Sequence, residues 1–313
     1  MRITEGMFFQ SSNWMKRNAR PLEIALWEYY FEQGSRDRVV QYLTAFQNED
    51  GGFGHGVEPD FWSPYSSPMA TWAAAQILFD VEVDSNQDIV QRMLAYLVDS
   101  NDRETGMWPS VLPGNNQFPH APWWHWSEGV QNNWMFNPGV ELAAYLIHWS
   151  PEQSEAAAIG WSSIEKAIQR LQRVTEMDWH EIHNYQRLIK VLRGKEETVN
   201  HKLAYSLKDI TDKVSLLIMS SVERDVTAWS TGYKPLPLDF MDSPEDPLSI
   251  EFGSLIEQNL HFYVDSLSNE GTWEIPWDWG SYPEAFTVAK RYWQGIMLVR
   301  RFMTFQAFGY LQR

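Results

Sequence analysis

The sequence predicts an all-α protein assembled from helical hairpins, and three observations carry that reading. Apolar residues recur at helical spacing along most of the chain, while the strict alternation of a strand is scarce. Proline and glycine sit where helices begin and end: Pro21 opens PLEIALWEYYFEQ and Gly34 follows it. The third observation is a helix-to-glycine-turn unit used three times. Its copies are Gln41–Asp60 (QYLTAFQNEDGGFGHGVEPD), Ala95–Trp108 (AYLVDSNDRETGMW) and Phe262–Trp273 (FYVDSLSNEGTW). Each has an apolar helix end, an Asn, an acidic residue, a Gly, then a Phe or Trp.

Taken in order, Pro21–Gln33 is the first expected helix and Arg36–Gln47 the second, running into the first glycine turn. Ser67-Pro68 starts a third helix through Phe79, whose small face (Ala70, Ala73, Ala74, Ala75) suits close packing. Asp88–Asp99 is the fourth and ends in the second turn. Gly106–Asn137 is too rich in proline for a continuous helix or central strand, and too aromatic for disorder. It reads as an ordered ligand or active-site loop. Helix returns over Pro138–Trp149, Glu152–Val174, Asp178–Leu192 and Glu196–Ser220. Val222–Ser249, with its prolines and acids, reads as an extended strap. Ile250–Leu267 is a helix, the third turn follows, Pro276–Pro283 (PWDWGSYP) is another aromatic loop, and Ala285–Phe305 closes the chain. No composition break marks a linker, so residues 1–313 are expected to form one domain with roughly ten helices.

Composition excludes several partners. The formal charge is −16, with 25 basic residues against 41 acidic, and no cluster of Lys and Arg is available for nucleic acid or an anionic membrane surface. The absence of cysteine removes disulfides, thiolate metal sites and thiol nucleophiles. No apolar run is long enough to span a bilayer and the N-terminus lacks a signal-peptide pattern, so a cytoplasmic protein is expected. Aromatic residues make up 15% of the chain, including 17 Trp, which suggests a groove or cavity lined by indoles.

Gln47-Asn48-Glu49-Asp50-Gly51-Gly52-Phe53 resembles the QW-type repeat of squalene–hopene cyclases and related terpenoid cyclases, found in looser form in protein prenyltransferase β subunits. That motif is Gln, two residues, Asp-Gly, one residue, then Trp or Phe. The second and third copies here lack the Gln. The resemblance implies an α/α toroid, a barrel of helical hairpins with long aromatic-rich loops, in which the repeat ties successive helix pairs together. It does not extend to the superfamily's catalytic motifs. No two aspartates are adjacent, so neither the Asp-x-Asp-Asp proton donor nor the Asp-Asp-x-x-Asp magnesium motif is present, and no Cys can complete a prenyltransferase zinc site.

Candidate chemistry therefore rests on residues near the three turns. Glu58 and Asp60, in HGVEPDFW, are carboxyls set among Phe53, Phe61 and Trp62, where desolvation would suit one of them to general-acid work. His55 lies close in sequence and could orient or share a proton. His120 and His125 flank Trp123 and Trp124, with Trp126 and Glu128 beyond, and Trp108 opens the same loop. Asp278 stands between Trp277 and Trp279 as a third carboxylate site. His120, His125, Glu58, Asp60 and Asp278 are the candidate catalytic residues; the aromatics, His55 and Glu128 are candidates to bind substrate. The histidine spacing matches no metal motif, so no cofactor is expected, although a divalent ion could be held. An isoprenoid or similar apolar substrate is the expected ligand. A saccharide processed by a hydrolase or lyase, or a protein bound by a non-catalytic scaffold, are the alternatives, since carboxylates among indoles serve carbocation and sugar chemistry alike.

Overall fold

The computed structural model describes residues 2–312 and shows an all-helical chain, with isolated bridges but no strand among those residues. In order, the α-helices are α1 (Glu5–Asn18), α2 (Pro21–Phe31), α3 (Arg36–Thr44), α4 (Pro68–Asp80), α5 (Asp88–Asp99), α6 (Gln131–Trp134) and α7 (Gly139–Trp149). They continue as α8 (Glu155–Arg173), α9 (Trp179–Leu192), α10 (Glu196–Lys202), α11 (Leu207–Ser221), α12 (Leu248–Phe252), α13 (Ser254–Asp265) and α14 (Pro283–Ala307). The chain divides into two compact units, one of Met1–Leu43 with Val222–Arg313 and one of Thr44–Ser221.

In the first unit α1, α2 and α14 pack together around aromatic rings. Trp27 is fully buried, with its ring centroid 4.7 Å from Phe31 and 5.0 Å from Phe302. Gly295 lets α14 approach α2: a Cβ there would lie 3.1 Å from the Ala19 Cβ and 3.3 Å from that of Glu23. Helix α1 is an addition to the sequence reading, capped by the Thr4 hydroxyl, which accepts the Met7 N–H at 3.3 Å. The predicted helix Ile250–Leu267 is broken at Gly253, whose φ of +50° separates α12 from α13.

The second unit is built around α7, in which every residue but His148 is buried, as expected for a helix apolar nearly all round. Helices α4, α5, α8 and α9 pack on it. Gly160 lets α8 lie close on α7, since a Cβ there would be 2.9 Å from the Ala143 carbonyl oxygen. The predicted helix Glu196–Ser220 is two helices. Ser206 starts the second: its hydroxyl accepts the Asp209 N–H at 3.2 Å, and the Asp209 carboxylate accepts the Ser206 N–H at 3.0 Å. This is a capping box written in the sequence as Ser-Leu-Lys-Asp.

The three glycine turns share one backbone design. In the first, Asn48 N–H donates to the Gly52 carbonyl (2.8 Å) and Gly51 N–H to that of Asn48 (3.1 Å). The third repeats this with Ser268 to Thr272 and Gly271 to Ser268, both 3.0 Å. The second is one residue longer, with Asp102 N–H to Met107 and Gly106 N–H to Asp102. Asn48, Asp102 and Ser268 are thus equivalent, so the asparagines that look shared in the sequence do not occupy matching positions. All three glycines have positive φ, and the aromatic residue two places on is buried each time. Trp108 and Trp273 donate their indole N–H back to the preceding helix, to the carbonyls of Leu97 and Tyr263, each at 2.9 Å.

Each turn presses on another helix. A Cβ at Gly51 would stand 2.1 Å from the Arg92 carbonyl oxygen in α5; one at Gly271 would stand 2.7 Å from the Gln10 carbonyl carbon and the Ser11 nitrogen in α1. At the second turn, the Ser163 hydroxyl of α8 donates to the Gly106 carbonyl at 2.5 Å. Gln47 adds a clamp, its amide donating to Gly51 and to Ile89 at the start of α5, both at 2.9 Å. Gly51→Ala combines a strained φ with a backbone collision, so it should cost about 3 kcal/mol or more in urea unfolding. Gly232→Ala has the same sign of φ (+81°) but nothing within 4 Å, and should cost only about 1 kcal/mol. Equal losses at the two positions would show that the turn-to-helix contact contributes nothing.

Candidate functional site

Two of the loops singled out by the sequence meet inside the second unit. Phe61 and His120 form an isolated antiparallel bridge: Ala121 N–H donates to the Asp60 carbonyl at 2.7 Å and Trp62 N–H to that of Pro119 at 2.9 Å. The bridge sets the carboxylate-bearing loop beside the histidine-bearing one. Glu58 and Asp60 are only 5% and 3% exposed, and the Glu58 carboxylate accepts the Asp60 N–H at 2.8 Å. Rings wall this place. Phe61 lies 5.4 Å from Trp124, which stacks on Trp134 at 4.5 Å with planes 11° apart. Trp62 donates its indole N–H to the Pro59 carbonyl, which stiffens the turn between Glu58 and the bridge.

His120 and His125 are hydrogen-bonded to each other, His120 Nε2 to His125 Nδ1, at 3.0 Å. His120 is buried and His125 exposed. The local chain explains the pairing: a 3-10 turn over Pro122–Trp124 folds the five-residue span back, so both rings leave the same side and stack at 5.3 Å. His120 Nδ1 lies 2.6 Å from the Phe118 carbonyl, and Asn116 Nδ2 lies 3.4 Å from His125 Nε2. Among the described residues no group of three or more His, Cys, Asp or Glu side chains is placed to hold a metal.

The remaining candidates are distributed more widely. His55, at a φ of +57°, is exposed and bonds through Nε2 to the Asn48 oxygen at 2.9 Å, which attaches it to the first glycine turn. Phe53 and Trp108 are fully buried within the second unit. Trp123 is 37% exposed, Trp126 half-buried and Glu128 exposed on the histidine loop. Asp278, Trp277 and Trp279 belong to the other unit. There Asp278 is exposed and accepts the Gly280 N–H at 2.5 Å, Trp277 packs edge-on against Trp293 at 5.3 Å, and Trp279 is buried beside Phe286. A shallow cleft of about 440 Å³ in that unit, lined by Gln10, Asn13, Arg17, Asn18 and Asn269, contains none of the candidate residues.

One polar cluster escaped the sequence reading. Glu141 of α7 is fully buried and accepts from Tyr145 Oη (2.5 Å), Trp72 Nε1 (2.6 Å) and Gln76 Nε2 (3.0 Å). Arg187 of α9 lies 3.9 Å from it and makes a two-pronged pair with Asp80 of α4, at 2.5 and 2.8 Å. Burial pushes the Glu141 carboxyl up, against the pull of Arg187 and of the three donors. The signal was present: Glu141 is the one acid inside the apolar run GVELAAYLIHW. With its donors in place, the cluster pins α4, α7 and α9 to one another.

No protein-family model, curated protein or solved structure matches the chain.

Arg187→Met would leave the Glu141 charge buried without its cation and should cost about 3 kcal/mol. Because the folded-state value of Glu141 is raised, its favourable contribution is complete below the ordinary carboxylate range and is lost as pH rises through the raised value. Losing Arg187 raises the folded-state value further, so the deficit should grow as pH rises above the ordinary carboxylate range. Adding Glu141→Gln should flatten the dependence. Urea midpoints across pH test this, and a deficit that shrinks as pH rises would contradict the assignment.

Proposed function

We propose that this chain is an enzyme of terpenoid cyclase-like build, an α/α toroid that binds and transforms a neutral isoprenoid or similar apolar substrate. The observation that carries the reading is the bridge between Phe61 and His120. It sets the loop that carries two buried carboxyls beside the loop that carries the histidine pair, within a single unit and next to the Phe61–Trp124 ring contact. The recurrence of one turn geometry at Gly51, Gly106 and Gly271 supports kinship with the cyclase repeat, as does the Gln47 clamp onto α5. A neutral substrate follows from chemistry. A diphosphate calls for clustered cations or magnesium, whereas the side chains here are carboxyls, imidazoles and indoles. Such a site moves protons beside ring faces that stabilise positive charge.

A second reading, glycan processing, is favoured by one observation. Trp123 stands 37% exposed on the histidine loop, and an accessible indole beside acid–base groups suits a sugar face. Thermal unfolding with a panel of ligands separates the two. A neutral isoprenoid alcohol at about 100 times its dissociation constant should stabilise the fold by about 2.7 kcal/mol, a rise of roughly 3–6 °C. Prenyl diphosphate with magnesium should do no better than the alcohol. A rise with neutral or uronic-acid oligosaccharides, and none with any isoprenoid, would replace the first reading by the second.

A further inference from the structure

We propose that His125 is the residue of this site that accepts a substrate proton, at Nε2, and that His120 is the residue that positions it. The inference rests on the proposed acid–base function and assigns the roles within it. It begins at Asn116, whose side-chain orientation is fixed on both sides by Trp126. The Asn116 oxygen accepts the Trp126 N–H at 2.8 Å, and the Asn116 nitrogen donates to the Trp126 carbonyl at 3.0 Å. The atom facing His125 Nε2 is therefore an N–H donor, and Nε2 must offer a lone pair. Neutral His125 then carries its proton on Nδ1 and donates it to His120 Nε2 at 3.0 Å. His120 in turn carries its own proton on Nδ1, which donates to the Phe118 carbonyl at 2.6 Å. Every bond in the chain points the same way, from Asn116 to His125 to His120 to Phe118.

This polarity decides which imidazole reacts. His120 is buried and its two nitrogens are directed at His125 and at the chain. His125 is exposed, and its Nε2 lone pair is covered only by the long 3.4 Å contact from Asn116, which a better donor displaces. The chemistry that fits is a hydroxyl group on the substrate. Its proton passes to His125 Nε2, and the substrate oxygen keeps the electron pair of the broken O–H bond. The His125 Nδ1 proton then moves to His120 Nε2, leaving His125 neutral and His120 an imidazolium held by Phe118 and His125. A base whose far nitrogen is oriented by a second group is the arrangement that acyl-transfer enzymes build with a carboxylate. Here the second group is an imidazole. The same polarity argues against a metal ion between the two rings, because a metal on His125 Nδ1 would put a proton on Nε2 facing the Asn116 N–H.

Nitrogen-15 NMR of the histidine side chains in the free protein tests the assignment without any ligand. Both His120 and His125 should show Nδ1 protonated and Nε2 bare at a pH where each is neutral. In His120→Phe, where only the long Asn116 contact still favours it, His125 should hold that tautomer less completely, while His120→Gln, which keeps an acceptor oxygen, should hold it as in the wild type. If His120→Phe does not fold, the wild-type spectrum alone decides: a proton on His125 Nε2 overturns the proposal. Diethyl pyrocarbonate, which acylates a bare imidazole nitrogen, should modify His125 faster than the exposed His201 of α10. A rate no faster than that of His201 would equally overturn it. For any alcohol substrate found to turn over, His125→Gln should lower kcat about 100-fold or more, with a smaller effect on KM. A protein that binds no isoprenoid yet shows these tautomers would refute the substrate and leave the proton relay standing.

Discussion

Three seatings of a glycine turn on a neighbouring helix govern how this chain can fold. At Gly51 and Gly271 the main chain of a turn lies directly on the main chain of a helix, closer than any side chain would allow. At Gly106 the same approach is secured by a hydroxyl and by Lys166, whose ammonium donates to the Arg103 and Glu104 carbonyls at 3.0 and 2.8 Å. Arg92 does likewise at the first turn, donating to the Asn48 carbonyl at 2.5 Å. Such contacts leave almost no freedom of register. The turn either seats on its helix or the two elements separate.

The candidate site inherits its precision from the first of these turns. Asn48 holds the turn through its backbone, while its side chain donates to Pro64 and Ser66 and accepts from His55. Phe53 then enters the core, and its amide donates to the Thr71 hydroxyl in α4. The loop from His55 to Trp62 is thus anchored at one end by the turn and at the other by the bridge to the 118–125 loop. Glu58 and Asp60 lie between two fixed points. A seated glycine therefore acts, several residues away, on where two carboxyls stand.

What was legible in the sequence follows the range of the forces involved. Helices with caps and apolar stripes were legible because their signals are local: Ser67-Pro68 at α4, and the Pro21 start of α2. The breaks at Ser206 and Gly253 were also written locally, yet the apolar spacing on either side masked them. Among the candidate residues, the nearness of the Asp60 and His120 loops was readable only as a hope that loops converge. It depends on a bridge between residues 59 apart in number, which no local pattern encodes. Glu141 was overlooked for the opposite reason: an acid in an apolar helix has meaning only once Arg187 and the donors from α4 are seen around it.

Glu141 and His125 also show how to tell a structural polar group from a chemical one. Glu141 is buried and pushed toward protonation, which alone would recommend it as a catalytic acid. Its valences are filled, however, by three side-chain donors and a neighbouring guanidinium, so a substrate would have to displace a partner to reach it. Breaking such a network costs the desolvation of every group left unmatched. His125 stands at the other extreme. It is exposed, and in the proposed tautomer its proton is directed inward to His120 while its outward lone pair meets only a long contact. Reaction requires an atom that can exchange its partner cheaply while its other bonds hold it still. By that criterion the core cluster holds three helices in register, and the proposed chemistry falls to the loop histidine.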